Sequence, residues 1–198
     1  MKGKKNMPCY NFSEYEKKFE QLCLNVSKRK KELSDFIKFL KEKTQYFNAP
    51  ASHIYHLNCE HGLLYHSVGV TETLLKIKPV LAPGLSDESC VICGLFHDAG
   101  KAGLPGQPLY IKNEKGYEIN KNLVEMQVAI RSLFMISKFI PLSPQEAQAI
   151  AYHDGQYVAQ GEDVAHRETL LLTLLHFSDF YTAHIIEEDY VEENFELV

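Results

Sequence analysis

A chain of 198 residues, 45% hydrophobic and 24% charged, has the make-up of an ordinary globular protein and the length for a single well-buried core. Its net charge of −5, with both signs mixed through most of the chain, excludes the electrostatic footprint of a tight duplex-DNA binder. A small phosphorylated substrate, or a single strand in a short groove, needs only local cations and stays open. No stretch reaches the roughly 18 apolar residues of a membrane span, and residues 1–10, with three lysines, have no apolar signal core; a cytoplasmic protein is expected. The five cysteines, 9, 23, 59, 90 and 93, are odd in number, and the one close pair, Cys90 and Cys93, has no second pair to complete a zinc site. Set in Cys90-Val91-Ile92-Cys93-Gly94-Leu95-Phe96, the pair is expected to be reduced and packed in the core.

Along the chain, Ser13 followed by Glu16 reads as a capping box, and Phe19, Leu22, Phe36, Phe39 and Leu40 recur as two amphipathic helices would place them over residues 13–44. Residues 1–46 are thus expected to pack as N-terminal helices on a domain spanning 47–198. Pro, Ser and Asn mark 47–62 as a loop. A helix over 63–78, with Val70, Leu74 and Ile77 on one side, should end at Pro79, Pro83 and Gly84. Ser86 caps the next helix, with Asp87 and Glu88 in its first turn; it is apolar as far as His97 and Asp98, so it must be buried, and Gly100 stops it. In 104–120, Pro105, Gly106, Pro108 and Gly116 exclude a helix, while Tyr110-Ile111 and Tyr117-Glu118-Ile119 suit a short hairpin, a candidate lid. Helical patterning returns over 123–140. Ser143-Pro144-Gln145-Glu146 then starts a helix running to His153, and a last helix over 168–186 leads into an acidic tail expected to fray. With no repeat and no second domain, the expected fold is an all-α bundle with one hairpin excursion.

Four ionisable residues lie where an apolar helical stripe would otherwise continue. His66 shares a face with Val70, Leu74 and Ile77; His97 and Asp98 close the run from Cys90; Asp179 follows Leu172 and Leu175 and precedes Ala183. Singly, each has a plain structural reading as a bonded core histidine, a helix end or a paired carboxylate. Jointly, two buried carboxylates would repel and stay costly unless a cation or protons neutralised them. A divalent metal does so directly. Two imidazoles and two carboxylates suit Mn, Fe, Co, Ni or Zn better than Mg, and leave room for water on a six-coordinate ion.

The sequence resembles the HD-domain phosphohydrolases, which carry a His on one helix, a His-Asp dyad on the next and a distant Asp. The likeness rests on Ala49-Pro50-Ala51-Ser52 with Tyr55-His56, on Gly62-Leu63-Leu64-Tyr65-His66-Ser67, on Leu95-Phe96-His97-Asp98-Ala99-Gly100-Lys101, and on Leu174-Leu175-His176-Phe177-Ser178-Asp179. It covers residues 47–186; the chain resembles compact bacterial and phage members, with a further similarity to the HD module of certain bacterial 3′→5′ exoribonucleases. The resemblance implies an HD helical bundle and hydrolysis by a metal-activated water. Three departures stand out. His61 replaces a Gly usual before Gly62, and a clash, phosphate binding or exposure to water are all open for it. No histidine lies in 120–140, so one metal is expected and a second is left undecided. Lys101 stands where some nucleotidases have Glu.

Within that frame Asp98 and Asp179 would anchor ion and nucleophile, and Lys101 could neutralise a phosphate oxygen unless it is only a surface lysine. His153 could protonate the leaving oxygen or bind phosphate unless it is only a cap. His56 and His61 are candidates for substrate binding at the same mouth; His53, His166, His176 and His184 are read as structural or surface. Tyr110 and Tyr117 offer faces for a base, or simply pack the hairpin. The preferred partner is a small phosphorylated substrate of nucleotide type. A nuclease acting on a single strand, favoured by the basic run Lys28-Arg29-Lys30-Lys31, and a binding protein with a structural metal are the alternatives.

Overall fold

The computed structural model describes residues 10–188. Seven α-helices and one two-stranded hairpin follow in chain order: α1 (Phe12–Cys23), α2 (Lys30–Lys43), α3 (Gly62–Leu81), α4 (Asp87–Phe96), β1 (Tyr110–Asn113), β2 (Gly116–Ile119), α5 (Val128–Ile136), α6 (Pro144–Tyr152) and α7 (Leu170–Tyr181). Short 3-10 turns, among them Ala99–Ala102, and a π-helical turn, Thr182–Ile186, link or extend them. Among the described residues no helix is long and apolar enough to cross a membrane.

Helix α3 is the axis of the bundle. Leu63, Leu64, Val68, Val70 and Leu74 are buried around its circumference, as befits a helix enclosed by others, and it packs against α1, α4 and α7. Helix α4 is equally enclosed, with every residue from Cys90 to Phe96 buried. Cys90 and Cys93 are free thiols in that core, and burial pushes the Cys90 thiol up to about 11. The N-terminal helices join the same core: the Phe36 ring meets Phe96 edge-on at 5.0 Å, and Phe19 does so at 6.1 Å. Tyr46, fully buried, donates its hydroxyl proton to the Leu95 carbonyl.

One residue of the basic run turns inward. Arg29 donates from Nε to Glu88 at 2.7 Å, from Nη2 to Glu146 at 2.7 Å and from Nη1 to the Pro141 carbonyl at 2.9 Å. It thereby ties the α1–α2 link to the first turns of α4 and α6. The capping box of α6 is present in full, with Ser143 and Glu146 bonded reciprocally, and β1 pairs antiparallel with β2 from Tyr110 opposite Ile119 to Asn113 opposite Gly116.

Some element ends differ from expectation. Asn11, not Ser13, caps α1 through the Glu14 amide. Helix α3 continues past Pro79 to Leu81, because Pro79 is exposed and the carbonyl four residues back loses its partner near solvent. Helix α5 is confined to Val128–Ile136, with no side-chain cap at Gln127; residues 124–127 before it are irregular and residues 137–139 after it turn. Thr169 caps α7 through the Leu172 amide, so that helix begins at Leu170 and gives way at Thr182 to the π turn. Cys9, most of the lysine-bearing N-terminus and residues 189–198 of the acidic tail lie outside the described residues.

Candidate metal centre

Four helices converge on one point. His66 lies in the first turns of α3, His97 is the C-cap of α4 with Asp98 following it, His153 is the C-cap of α6, and Asp179 stands in α7. His66 Nε2 is 3.0 Å from Asp179 Oδ1 and 3.6 Å from Asp98 Oδ2; His97 Nε2 is 3.6 Å from Asp98 Oδ2 and 3.9 Å from Asp179 Oδ1. On the other side of Asp98, His153 Nε2 is 3.5 Å from Oδ1.

The opposite ring nitrogens reveal why these Nε2 atoms suit a cation. His97 Nδ1 faces the Gly94 carbonyl at 2.8 Å, and His153 Nδ1 faces the Ile150 carbonyl at 2.9 Å. A carbonyl only accepts, so each Nδ1 carries the proton and each neutral ring presents a bare Nε2 to the carboxylates. His66 Nδ1 meets Glu187 Oε1 at 2.9 Å, which favours the same tautomer. The Nε2 atoms of His66 and His97 are buried and without a hydrogen-bond partner; the 3.0 Å approach of His66 to Asp179 is not aligned as one. Buried lone pairs facing buried carboxylate oxygens repel unless something positive lies between them. His66, His97, Asp98 and Asp179 could therefore hold a divalent metal, with His153 beside Asp98.

Protons are the alternative source of that charge. Burial opposes ionisation of His66, yet the carboxylates of Glu187 and Asp179 carry its pKa up to about 10. His153 is likewise penalised by burial but raised to about 9, chiefly by Asp98 and then Asp154. Burial dominates at His97, which falls to about 4. Burial would raise Asp98, but Lys101 foremost and His97 next hold it well below the usual carboxylate range.

Lys101 enters on the 3-10 turn Ala99–Ala102 and brings Nζ to 2.6 Å from Asp98 Oδ2. Gly100 makes that turn possible. Its amide donates to Ser132 Oγ at 2.8 Å and its carbonyl accepts from Arg131 at 3.0 Å, while a Cβ there would lie 2.2 Å from the Val128 carbonyl oxygen. Gly100→Ala should therefore destabilise the protein by about 1–3 kcal/mol through overpacking, read as a lower urea midpoint at unchanged slope. An unchanged midpoint would show that the turn can shift off α5.

A cleft of about 420 Å³ opens beside the carboxylates, lined by Asp98, Asp179, Lys101, His56, Tyr157 and Phe180, among others. Lys101 also lines a second cleft, about 330 Å³, beneath the hairpin with Tyr110 and Tyr117; Tyr110 stacks on His53 at 5.9 Å. A larger cavity of about 570 Å³ shares Tyr157 and His176 with the first but is not lined by Asp98 or Asp179.

Most of the candidates from the sequence meet here: His56, His66, His97, Asp98, Lys101, His153 and Asp179. His61 does not. Its Nδ1 bonds the Phe47 carbonyl at 2.6 Å, its ring lies 4.1 Å from Phe12, and its φ of 65° turns the chain into α3. His61 thus sits at the entrance of α3, outside the lining of the cleft that His56 and Lys101 share. Two residues escaped the sequence reading. His176, taken as structural or surface, lines the cleft with Nδ1 at 2.7 Å from the His153 carbonyl. Glu187, assigned to the acidic tail, is 8% exposed and bonded to His56 and His66. A carboxylate eight residues past Asp179 carries no periodic signal.

An all-α fold that gathers a His, a His-Asp dyad and a distant Asp around one buried point defines a class of helical metal-site domains. Residues 63–177, more than half of the chain, match the family model of the HD domain, and the protein belongs to that family, one of metal-dependent phosphohydrolases. His66, His97, Asp98 and His153 lie inside the matched span and Asp179 just beyond it. Comparison with curated proteins and with solved structures found no match.

Proposed function

We propose that the protein hydrolyses a phosphate ester or anhydride of a nucleotide-type substrate, using a divalent transition metal (Mn, Fe, Co, Ni or Zn in preference to Mg) held by His66, His97, Asp98 and Asp179. The observation that carries this reading is the composition of one cleft: both carboxylates, Lys101 and the parallel rings of Tyr157 and Phe180, 6.1 Å apart, line the same 420 Å³. That volume lies within the roughly 300–1,000 Å³ typical of small-molecule sites. Such an ion supplies Lewis acidity and lowers the pKa of a bound water to near neutrality.

The chain's own residues supply the rest. Lys101, kept cationic by Asp98 in spite of burial, neutralises a non-bridging phosphate oxygen at the mouth. His153, anchored through Nδ1 with Nε2 directed at Asp98, serves as general acid in the form that also carries a proton on Nε2, an imidazolium that burial opposes and Asp98 favours. Tyr157 and Phe180 give the base a flat apolar wall. His56 narrows the cleft from the side of His66.

A panel of nucleoside mono-, di- and triphosphates tests this, with Mn, Co, Ni, Zn or Mg added and phosphate and nucleoside both measured. Release from one nucleotide class is expected, with Lys101→Met lowering kcat about 10²-fold at unchanged metal content. The second cleft on the other side of Lys101 favours one further reading, a phosphodiester with a nucleotide on each side. Shortening of a labelled single-stranded oligonucleotide, with every mononucleotide left intact, would replace the first reading by that one.

A further inference from the structure

We infer that Glu187 is a positioning residue for the metal centre, fixing the tautomer and ring orientation of His66 from behind. The inference rests on the metal reading of His66. Of the three histidines aimed at Asp98 and Asp179, His97 and His153 are oriented by carbonyls of their own helices, three residues back. His66 is not. It lies inside α3, where the carbonyl three residues back belongs to the helix ladder, whereas His97 and His153 stand at helix C-termini with unpaired carbonyls. Its Nδ1 turns instead to Glu187 Oε1, 2.9 Å away across 121 positions of sequence. Glu187 Oε2 is in turn held by His56 Nδ1, so the carboxylate is fixed at both oxygens.

The backbone is built to deliver this carboxylate. Eight residues separate Asp179 from Glu187, and at about 100° per residue an uninterrupted α-helix would leave Glu187 roughly 80° away from the Asp179 direction. The π-helical turn Thr182–Ile186, closed by the Glu187 amide on the Thr182 carbonyl at 3.0 Å, advances by a smaller angle per residue and brings Glu187 back toward that face. Thr182 is buried and bonded to Thr73 of α3 at 3.2 Å, which anchors the turn against the helix that carries His66. His56, His66 and Glu187 are also close enough to hold an ion themselves. That arrangement would require His66 to ligate through both ring nitrogens, whereas a carboxylate bonded behind a ligating imidazole is the usual support for one.

Metal affinity of the folded protein distinguishes this role from a merely structural one. The full chain, stripped of metal, is titrated with Mn or Zn against a competing chelator, with folding followed by circular dichroism. Glu187→Ala should bind about 10–100-fold more weakly than the parent. Glu187→Gln keeps an acceptor for the His66 Nδ1 proton and should recover affinity to within a few fold. Glu187→Asp, which withdraws the carboxylate, should be weak like Ala and stands in for it should Ala fail to fold. The inference is overturned if folded Ala or Asp variants bind as the parent does, or if Gln is as weak as Ala. A parent that binds no metal would instead sink the metal reading on which the inference depends.

Discussion

Asp98→Ala is expected to lower kcat/KM for phosphate release by more than about 10³-fold, the loss of some 4 kcal/mol of transition-state stabilisation. Asp98 presents its two oxygens to different partners: Oδ2 toward His66, His97 and Lys101, and Oδ1 toward His153. Its removal therefore takes away an anchor of the ion, the counter-charge of Lys101 and the partner of His153 together. Asp98→Asn keeps the shape and loses the charge, so it should lose activity to a similar degree while retaining the helical circular dichroism of the parent. Substantial turnover in a folded Asn variant would place the chemistry elsewhere.

Arg29→Ala should cost about 3–5 kcal/mol of folding stability, because it leaves two buried carboxylates, Glu88 and Glu146, without their cation. The side chains of Glu88 and Glu146 are 8% and 2% exposed, so water cannot replace what the guanidinium supplied. The pH dependence gives an independent check. Burial would raise both carboxyls, but the bonds from Arg29, with backbone amides after them, hold both below 4.5. A depressed folded pKa contributes stability that is present above the unfolded value and lost as pH falls through the folded one. The parent should therefore lose stability below about pH 4.5, and the deficit of Arg29→Ala should be largest at neutral pH and shrink on acidification, since the unpaired carboxyls gain by protonation. Urea midpoints of both proteins between pH 4 and 7 measure this; a deficit independent of pH would assign the loss to packing alone.

What could be read from the sequence was what is locally encoded. The capping box at Ser143 needs only residues three apart, and the hairpin needs turn residues between two short apolar runs. The His97-Asp98 dyad was legible because two polar groups interrupt an otherwise apolar helix, and His66 and Asp179 because they break a stripe. What escaped depends on contacts between distant elements. Arg29 looked like one of four cations in a run, and only the meeting of α4 and α6 draws it inward. His61 stood beside the site in sequence, yet its positive φ turns it toward Phe12. Glu187 lay past the end of every periodic pattern, and a π turn that no apolar spacing announces returns it to His66.

The most direct test of metal-dependent phosphohydrolysis at this centre is product release by metal-free protein reloaded with one transition metal at a time, across nucleotides and single-stranded oligonucleotides. Release that appears with about one equivalent of bound metal, stops on chelation and is absent in Asp98→Asn is the predicted result. Stoichiometric metal binding in the folded protein with no hydrolysis of any phosphate ester, anhydride or diester would contradict it and leave the centre a structural one.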